Sequence, residues 1–174
     1  MNLIFRLIRV LLATLFRPGM SVMDVSVVNF RVWPNDLDFN GHMNNGRYLT
    51  IMDLGRLDLI FRAGMSKQIL SGKWAPIVAS SKLRFRRSLH PFQRYQLHTR
   101  LLCWDEQWFI VEQRFMVEER AVAIGYIKGL FRDRKGQNVS PEHILLSVGH
   151  VGVSPPFPDS VLLWLQAEAM IVAD

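Results

Sequence analysis

Asp36-Leu37-Asp38-Phe39-Asn40-Gly41-His42-Met43-Asn44-Asn45-Gly46-Arg47-Tyr48 runs without a break into Leu49-Thr50-Ile51-Met52-Asp53-Leu54-Gly55-Arg56-Leu57-Asp58-Leu59-Ile60-Phe61-Arg62-Ala63-Gly64. The second half predicts a helix from about Asn45 to Ala63, with Gly64 as its stop. Tyr48, Leu49, Ile51, Met52, Leu54, Leu57, Leu59, Ile60 and Phe61 leave that helix little room for a polar face. A helix apolar nearly all round is a buried one. Gly46 and Gly55 each lower helix propensity by ~1 kcal/mol against alanine. Such glycines make sense where a backbone must approach another element closely. The helix is therefore expected to be central, with something wrapped around it. The first half is polar: two acids (Asp36, Asp38), a histidine (His42), a glycine turn (Gly41) and an asparagine pair placed to cap the helix. At a helix N-terminus backbone N–H groups point outward and the dipole favours negative charge. An oxyanion forming there is stabilised, so chemistry is expected here.

The wrapping follows from the rest of the chain. Val25 to Trp33 is β-branched and partly alternating, and Pro34 closes it as a strand. Ile77 to Arg87, Gln93 to Trp104, Trp108 to Val117 and Ala121 to Arg132 are four further extended segments. Asp105-Glu106-Gln107 and Glu118-Glu119-Arg120 are short enough to be hairpin loops. Tyr95, Leu97, Thr99 and Leu101 alternate with Gln96, His98 and Arg100, the pattern of an antiparallel sheet with one face covered. Ser140-Pro141-Glu142 supplies an N-cap, a proline at the first helical position and an early acid. A last helix covers roughly Asp159 to Val172. The order predicts an α+β fold in which an antiparallel sheet clasps one helix, with an amphipathic helix before it and helices after it.

Residues 1–19 are expected to form that first helix and a Pro18-Gly19 linker, and residues 20–174 a single domain. At 100° per residue Asn2, Arg6, Arg9 and Arg17 fall on one narrow stripe, and Leu, Ile, Val and Phe fill the rest. The apolar run between Arg9 and Arg17 is far short of the ~20 residues that span a bilayer. Arg9 interrupts what would be a signal-peptide core, so an uncleaved helix is expected. Either it lies in a membrane interface with its arginines toward anionic headgroups, or it packs on the domain or a partner subunit; periodicity supports both. The 174 residues, 49% of them hydrophobic, exclude disorder as a description of the whole. The single cysteine, Cys103, excludes an internal disulfide and a cysteine-clustered zinc site, and its apolar surroundings mark it as a core thiol. The net charge of +6 suits nucleic acid, an anionic membrane, a phosphate-rich ligand or a plain basic surface. His90, His98, His143 and His150 lack metal-ligand spacing. No glycine-rich phosphate loop and no aromatic-basic interleaving for nucleic acid is present.

The helix-and-sheet order resembles the hotdog fold. Asp36-x-Asp38-x-x-Gly41-His42-x-Asn44-Asn45-x-x-Tyr48 is similar to the signature of the 4-hydroxybenzoyl-CoA thioesterase-like acyl-CoA thioesterases. The run is nearly that of the branch containing thioesterase superfamily member 6. Trp108-Phe109-Ile110-Val111-Glu112-Gln113-Arg114-Phe115 and Lys128-Gly129-Leu130-Phe131-Arg132-Asp133 with Gly136 look like later strands of that family. The resemblance covers about residues 24–146. It implies hydrolysis of an acyl-CoA to free acid and CoA, in lipid metabolism, without metal or organic cofactor. Asp38 would be the catalytic carboxylate, as nucleophile or as general base toward water. The backbone N–H groups near Asn45 and Gly46 would polarise the thioester carbonyl, and His42 would support the carboxylate or the loop. Asn44 and Tyr48 would face the substrate, although a cap and a core tyrosine are the plainer readings. Asp36 is read as structural. Asp53, within the helix, pairs with Arg56 at i,i+3 and is the reserve carboxylate. Lys82, Arg84 and Arg86 share one strand face and either hold CoA phosphates or are simply solvated. A homodimer or tetramer is implied, located in the cytoplasm with or without a membrane contact through residues 1–17. A non-catalytic acyl-CoA or lipid binder and a membrane-recruited adaptor stay open as other classes.

Overall fold

The structure is a computed structural model and describes residues 3–171. The N-terminal helix is α1 (Leu3–Phe16), followed by β1 (Ser26–Arg31) and a 3-10 turn over Pro34–Asp36. The central helix α2 spans Asn45–Ile60. Then come α3 (Ser66–Leu70) and the long strands β2 (Trp74–Phe85), β3 (Arg94–Trp104), β4 (Phe109–Val117) and β5 (Arg120–Asp133). The short β6 (Asn138–Val139), α4 (Pro141–Ser147) and α5 (Asp159–Ile171) complete the chain. The sheet is antiparallel in the order β1-β3-β4-β5-β2, with β6 beside β5.

Helix α2 lies against the inner face of this sheet. Tyr48, Ile51, Met52 and Leu54 pack with Phe30, Leu97, Phe115 and Ile127 in one core cluster. Gly55 explains the close approach. A Cβ there would stand 2.5 Å from Leu97 Cδ2 and 2.6 Å from Thr99 Oγ1. Gln113, wholly buried on β4, locks the same contact by donating its side-chain amide to the Met52 carbonyl and to Thr99 Oγ1, each at 2.9 Å. Gly55→Ala is therefore expected to destabilise the fold by about 1–3 kcal/mol, read as a lower urea midpoint with an unchanged slope.

Several expectations are adjusted. Gly64 does break the helix, its φ of 95° being the left-handed conformation of a helix stop, but the short helix α3 follows at once from Ser66. Strand β2 begins at Trp74 rather than Ile77, because Pro76 sits on the terminal strand of the sheet, where a missing N–H is tolerated. Nor is α2 enclosed on every side. The sheet covers one side, while Leu49 and Asp53 are exposed on the other.

Helix α1 packs on the domain with its arginines inward. β1 is the other edge of the sheet, and its Val27, Asn29 and Arg31 carbonyls accept from Arg17, Arg9 and Arg6 respectively. Arg6 also pairs with the buried Asp36, and Arg17 with the buried Asp58 at 2.9 Å. The arginines thus face the sheet edge rather than any headgroup. The reason is local. An open strand edge offers a row of unpaired carbonyls, and a row of guanidinium donors satisfies them. On the outer face of the sheet α5 covers Cys103 and Ile110 with Val161, Trp164 stacks on Tyr126, and Lys128 pairs with Glu168 at 2.8 Å. Burial and the nearby Asp105 charge push the Cys103 thiol up to about 11.

Candidate active site

The polar run folds into a closed turn leading into α2. Leu37 and Met43 form an isolated antiparallel bridge. Inside it the Asp38 N–H donates to the His42 carbonyl at 2.9 Å, and the Gly41 N–H to the Asp38 carbonyl at 3.1 Å. Gly41 adopts φ 73°, the left-handed conformation such a turn needs. The Asp38 side chain, half-buried, accepts the Asn40 N–H on Oδ1 at 2.9 Å. Asn44 is the N-cap, its Oδ1 accepting the Gly46 N–H at 2.9 Å. Asn45 opens the helix, and a first helical residue has no intrahelical acceptor for its N–H.

Asp36 anchors this turn from below. It is buried, accepts the Trp33 N–H at 2.9 Å, pairs with Arg6 from α1, and has the Arg47 Nε 3.8 Å away. Its carbonyl accepts the Asn44 N–H at 2.8 Å. One buried aspartate thus joins the N-terminal helix, the turn and the helix start.

The structure brings Asp38, His42, Asn44, Asn45 and Gly46 into this single turn. It separates the expected oxyanion donors, because the Gly46 N–H is taken by its own cap while that of Asn45 is not used within the helix. Tyr48 is buried, its ring edge-on to Phe85 and Phe115 at 4.9 and 4.8 Å. Burial raises its hydroxyl pKa, and a hydrogen bond with the Leu89 backbone works the other way. Lys82, Arg84 and Arg86 are exposed. Leu83 and Phe85 turn toward α2, so strand alternation puts the three cations on the opposite face from Tyr48. They do not join the Asp38 turn.

A neighbour missed in the sequence is the segment after β2. The Met43 N–H donates to the Leu89 carbonyl at 2.9 Å, and His90 sets its ring edge-on to His42 with centroids 4.9 Å apart. No local pattern pairs residues so far apart in sequence. A second feature lies at the other end of α2. An apolar cavity of about 280 Å³ runs between the helix and the sheet, walled by Leu57, Ile77, Leu101, Phe109, Ile127 and Phe131. Asp53 and Arg56 stand on its wall, ion-paired to one another, with Arg56 also donating to Gln113 at 2.9 Å. Burial lowers the Arg56 pKa, against the pull of Asp53. Among the described residues no cluster of metal-ligating side chains occurs.

The model of the thioesterase-like superfamily matches residues 32–165, from just after β1 to the middle of α5. The chain belongs to the thioesterase-like superfamily. It is 36% identical over 139 residues to Protein THEM6 of Xenopus laevis, covering 78% of this chain and 64% of that protein. It therefore spans less than two thirds of that relative's length. Among solved structures, the probable thioesterase YbaW of Escherichia coli superposes with a TM-score of 0.65 at 20% identity, over 71% of this chain and 95% of that one. A gentisyl-coenzyme A thioesterase gives 0.64 at 18% identity, over 71% and 99%. At such identities the likeness is one of fold, and the fold is the hotdog. In this thioesterase-like chain, α2 is the helix that the sheet wraps, and the Asp36–Tyr48 turn stands at its open N-terminal end.

Proposed function

We propose that the chain is an acyl-coenzyme A thioesterase that uses water to release free acid and CoA. The observation that supports it most is the closed turn, which carries the half-exposed Asp38 carboxylate and leads directly into the central helix α2. In this reading the thioester carbonyl oxygen approaches the Asn45 N–H, where the helix N-terminus stabilises the developing negative charge. Asp38 either removes a proton from the attacking water or attacks the carbonyl itself, with an anhydride then hydrolysed. His42 holds the turn through its carbonyl. Superfamily membership and the coenzyme A substrate named for one structural neighbour support the same reaction class. The reading includes a homodimer, formed over the exposed apolar residues Ile77 and Val78 of β2 and the open flank of α2.

A panel of aliphatic and aromatic acyl-CoAs, followed with a thiol reagent, tests the reading. Cys103 is buried and its thiol held protonated, so native protein adds no background. Release of CoA well above the uncatalysed rate is expected for at least one chain class. Tight binding with no release across the panel would leave an acyl-CoA binder instead. One observation favours a second arrangement, with Asp53 as the carboxylate: the apolar cavity opens beside Asp53, roughly 12 Å along α2 from its first residue, Asn45, at 1.5 Å per residue.

A further inference from the structure

Helix α1 is amphipathic in the sense opposite to a surface helix. Its arginine stripe is spent on the domain, on three β1 carbonyls and on the buried Asp36 and Asp58. Its other face carries Ile4, Phe5, Ile8, Leu12, Leu15 and Phe16, each between 47% and 87% exposed. None of these six side chains can form a hydrogen bond. A soluble domain rarely leaves so continuous an apolar strip in water.

We propose that this face of α1 docks the protein on an anionic membrane, the helix lying flat with its six apolar side chains in the acyl boundary. The proposal stands apart from the hydrolase reading, since none of the six docking side chains belongs to the Asp38 turn. Three observations choose lipid as the occupant. The first is area. At 1.5 Å per residue the helix is roughly 21 Å long and its outward strip about 10 Å wide, while a stable pairing of copies needs about 800 Å² from each partner. The second is chemistry. Protein interfaces carry about one hydrogen bond per 100–200 Å², and this face offers no group to make one; hydrocarbon asks for none. The third is charge. Residues 1–23 carry no acid, so nothing on α1 repels an anionic leaflet, and the chain carries +6 overall, which suits one. The 14 residues of α1 are too few to cross a bilayer, and no helix among the described residues is long and apolar enough to do so. Flat docking is what such a helix can do. The ion pairs at Arg6 and Arg17 present the face already ordered, so docking need not fold the helix first.

The test uses the full chain with sedimented vesicles, either pure phosphatidylcholine or phosphatidylcholine with phosphatidylglycerol. The wild type is expected on the mixed vesicles and more weakly on the neutral ones. The double variant Phe5→Glu/Leu12→Glu should bind the mixed vesicles about tenfold less or weaker still, with an unchanged melting temperature because both side chains already face water. If that variant fails to fold, Leu15→Ser/Phe16→Ser at the other end of the helix serves instead. Wild type that stays off the mixed vesicles, or variants that bind as well as wild type, would overturn the proposal. So would variants that change the oligomeric state while wild type shows no lipid binding, since that outcome makes the face a contact between copies. Equal binding to both vesicle types would overturn the choice of an anionic surface.

Discussion

Asp38→Ala is expected to lower kcat for acyl-CoA hydrolysis by about 10²–10⁴-fold, the range for loss of a positioned acid–base group. Its stability should change by only about 1 kcal/mol, because one hydrogen bond, from the Asn40 N–H, is lost and the side chain is half-exposed. Asp38→Asn sharpens the result. It keeps an oxygen for the Asn40 N–H but removes the basic carboxylate, so turnover should fall about as far while the turn is retained. Asp53→Asn is the matched control. Asp53 is exposed and pairs with Arg56, so its loss should leave turnover within a factor of about three if Asp38 is the carboxylate. If Asp53→Asn abolishes turnover and Asp38→Asn does not, the chemistry belongs to the cavity end of α2. The measurement is initial-rate thiol release at saturating substrate, with a thermal melt of each variant alongside.

What the sequence made legible was what local pattern encodes. The central helix could be read because few of its side chains are polar, and Gly55 already pointed to a close approach. The covered face of β3 could be read from alternation, and the start of α4 from Ser140, whose Oγ accepts the His143 N–H. The motif turn was legible as a unit because its members lie within thirteen consecutive residues. What could not be read was direction and distant pairing. The periodicity of α1 fixes which residues share a stripe, but a stripe of arginines is satisfied equally by phosphates and by strand carbonyls. Only the position of the β1 edge decides between them. The approach of Leu89 and His90 to the turn, the cavity beside Asp53 and the diversion of the Gly46 N–H to Asn44 depend on three-dimensional closure, which leaves no local trace.

Asp36→Ala is expected to cost about 3–5 kcal/mol of stability, the range for breaking one half of a buried ion pair. Arg6, 2% exposed, would be left charged among apolar neighbours, and the Trp33 N–H would lose its acceptor. Urea unfolding measures the loss directly. A second buried acid gives the comparison that separates stability from positioning. Asp58 accepts from Ser26 Oγ at 2.6 Å, from Arg17 at 2.9 Å and from Arg62 at 3.3 Å, so Asp58→Ala should destabilise to a similar extent. The two aspartates differ in place. Asp58 lies near the C-terminal end of α2, whereas Asp36 is two residues from Asp38 and its carbonyl holds the Asn44 N–H. Assayed well below both melting temperatures, Asp58→Ala should keep near wild-type kcat, and Asp36→Ala should lose turnover beyond its unfolded fraction. Replacing the pair together, as Arg6→Met/Asp36→Leu, should recover much of the stability, since a packed apolar pair often matches a buried ion pair. It should not recover turnover, because the Trp33 N–H and Arg47 would still lack the carboxylate that braces the turn. Equal turnover in the Asp36 and Asp58 single variants would reduce Asp36 to a stabiliser of α1. Unequal turnover would tie the N-terminal helix, through one buried carboxylate, to the geometry of the Asp38 turn.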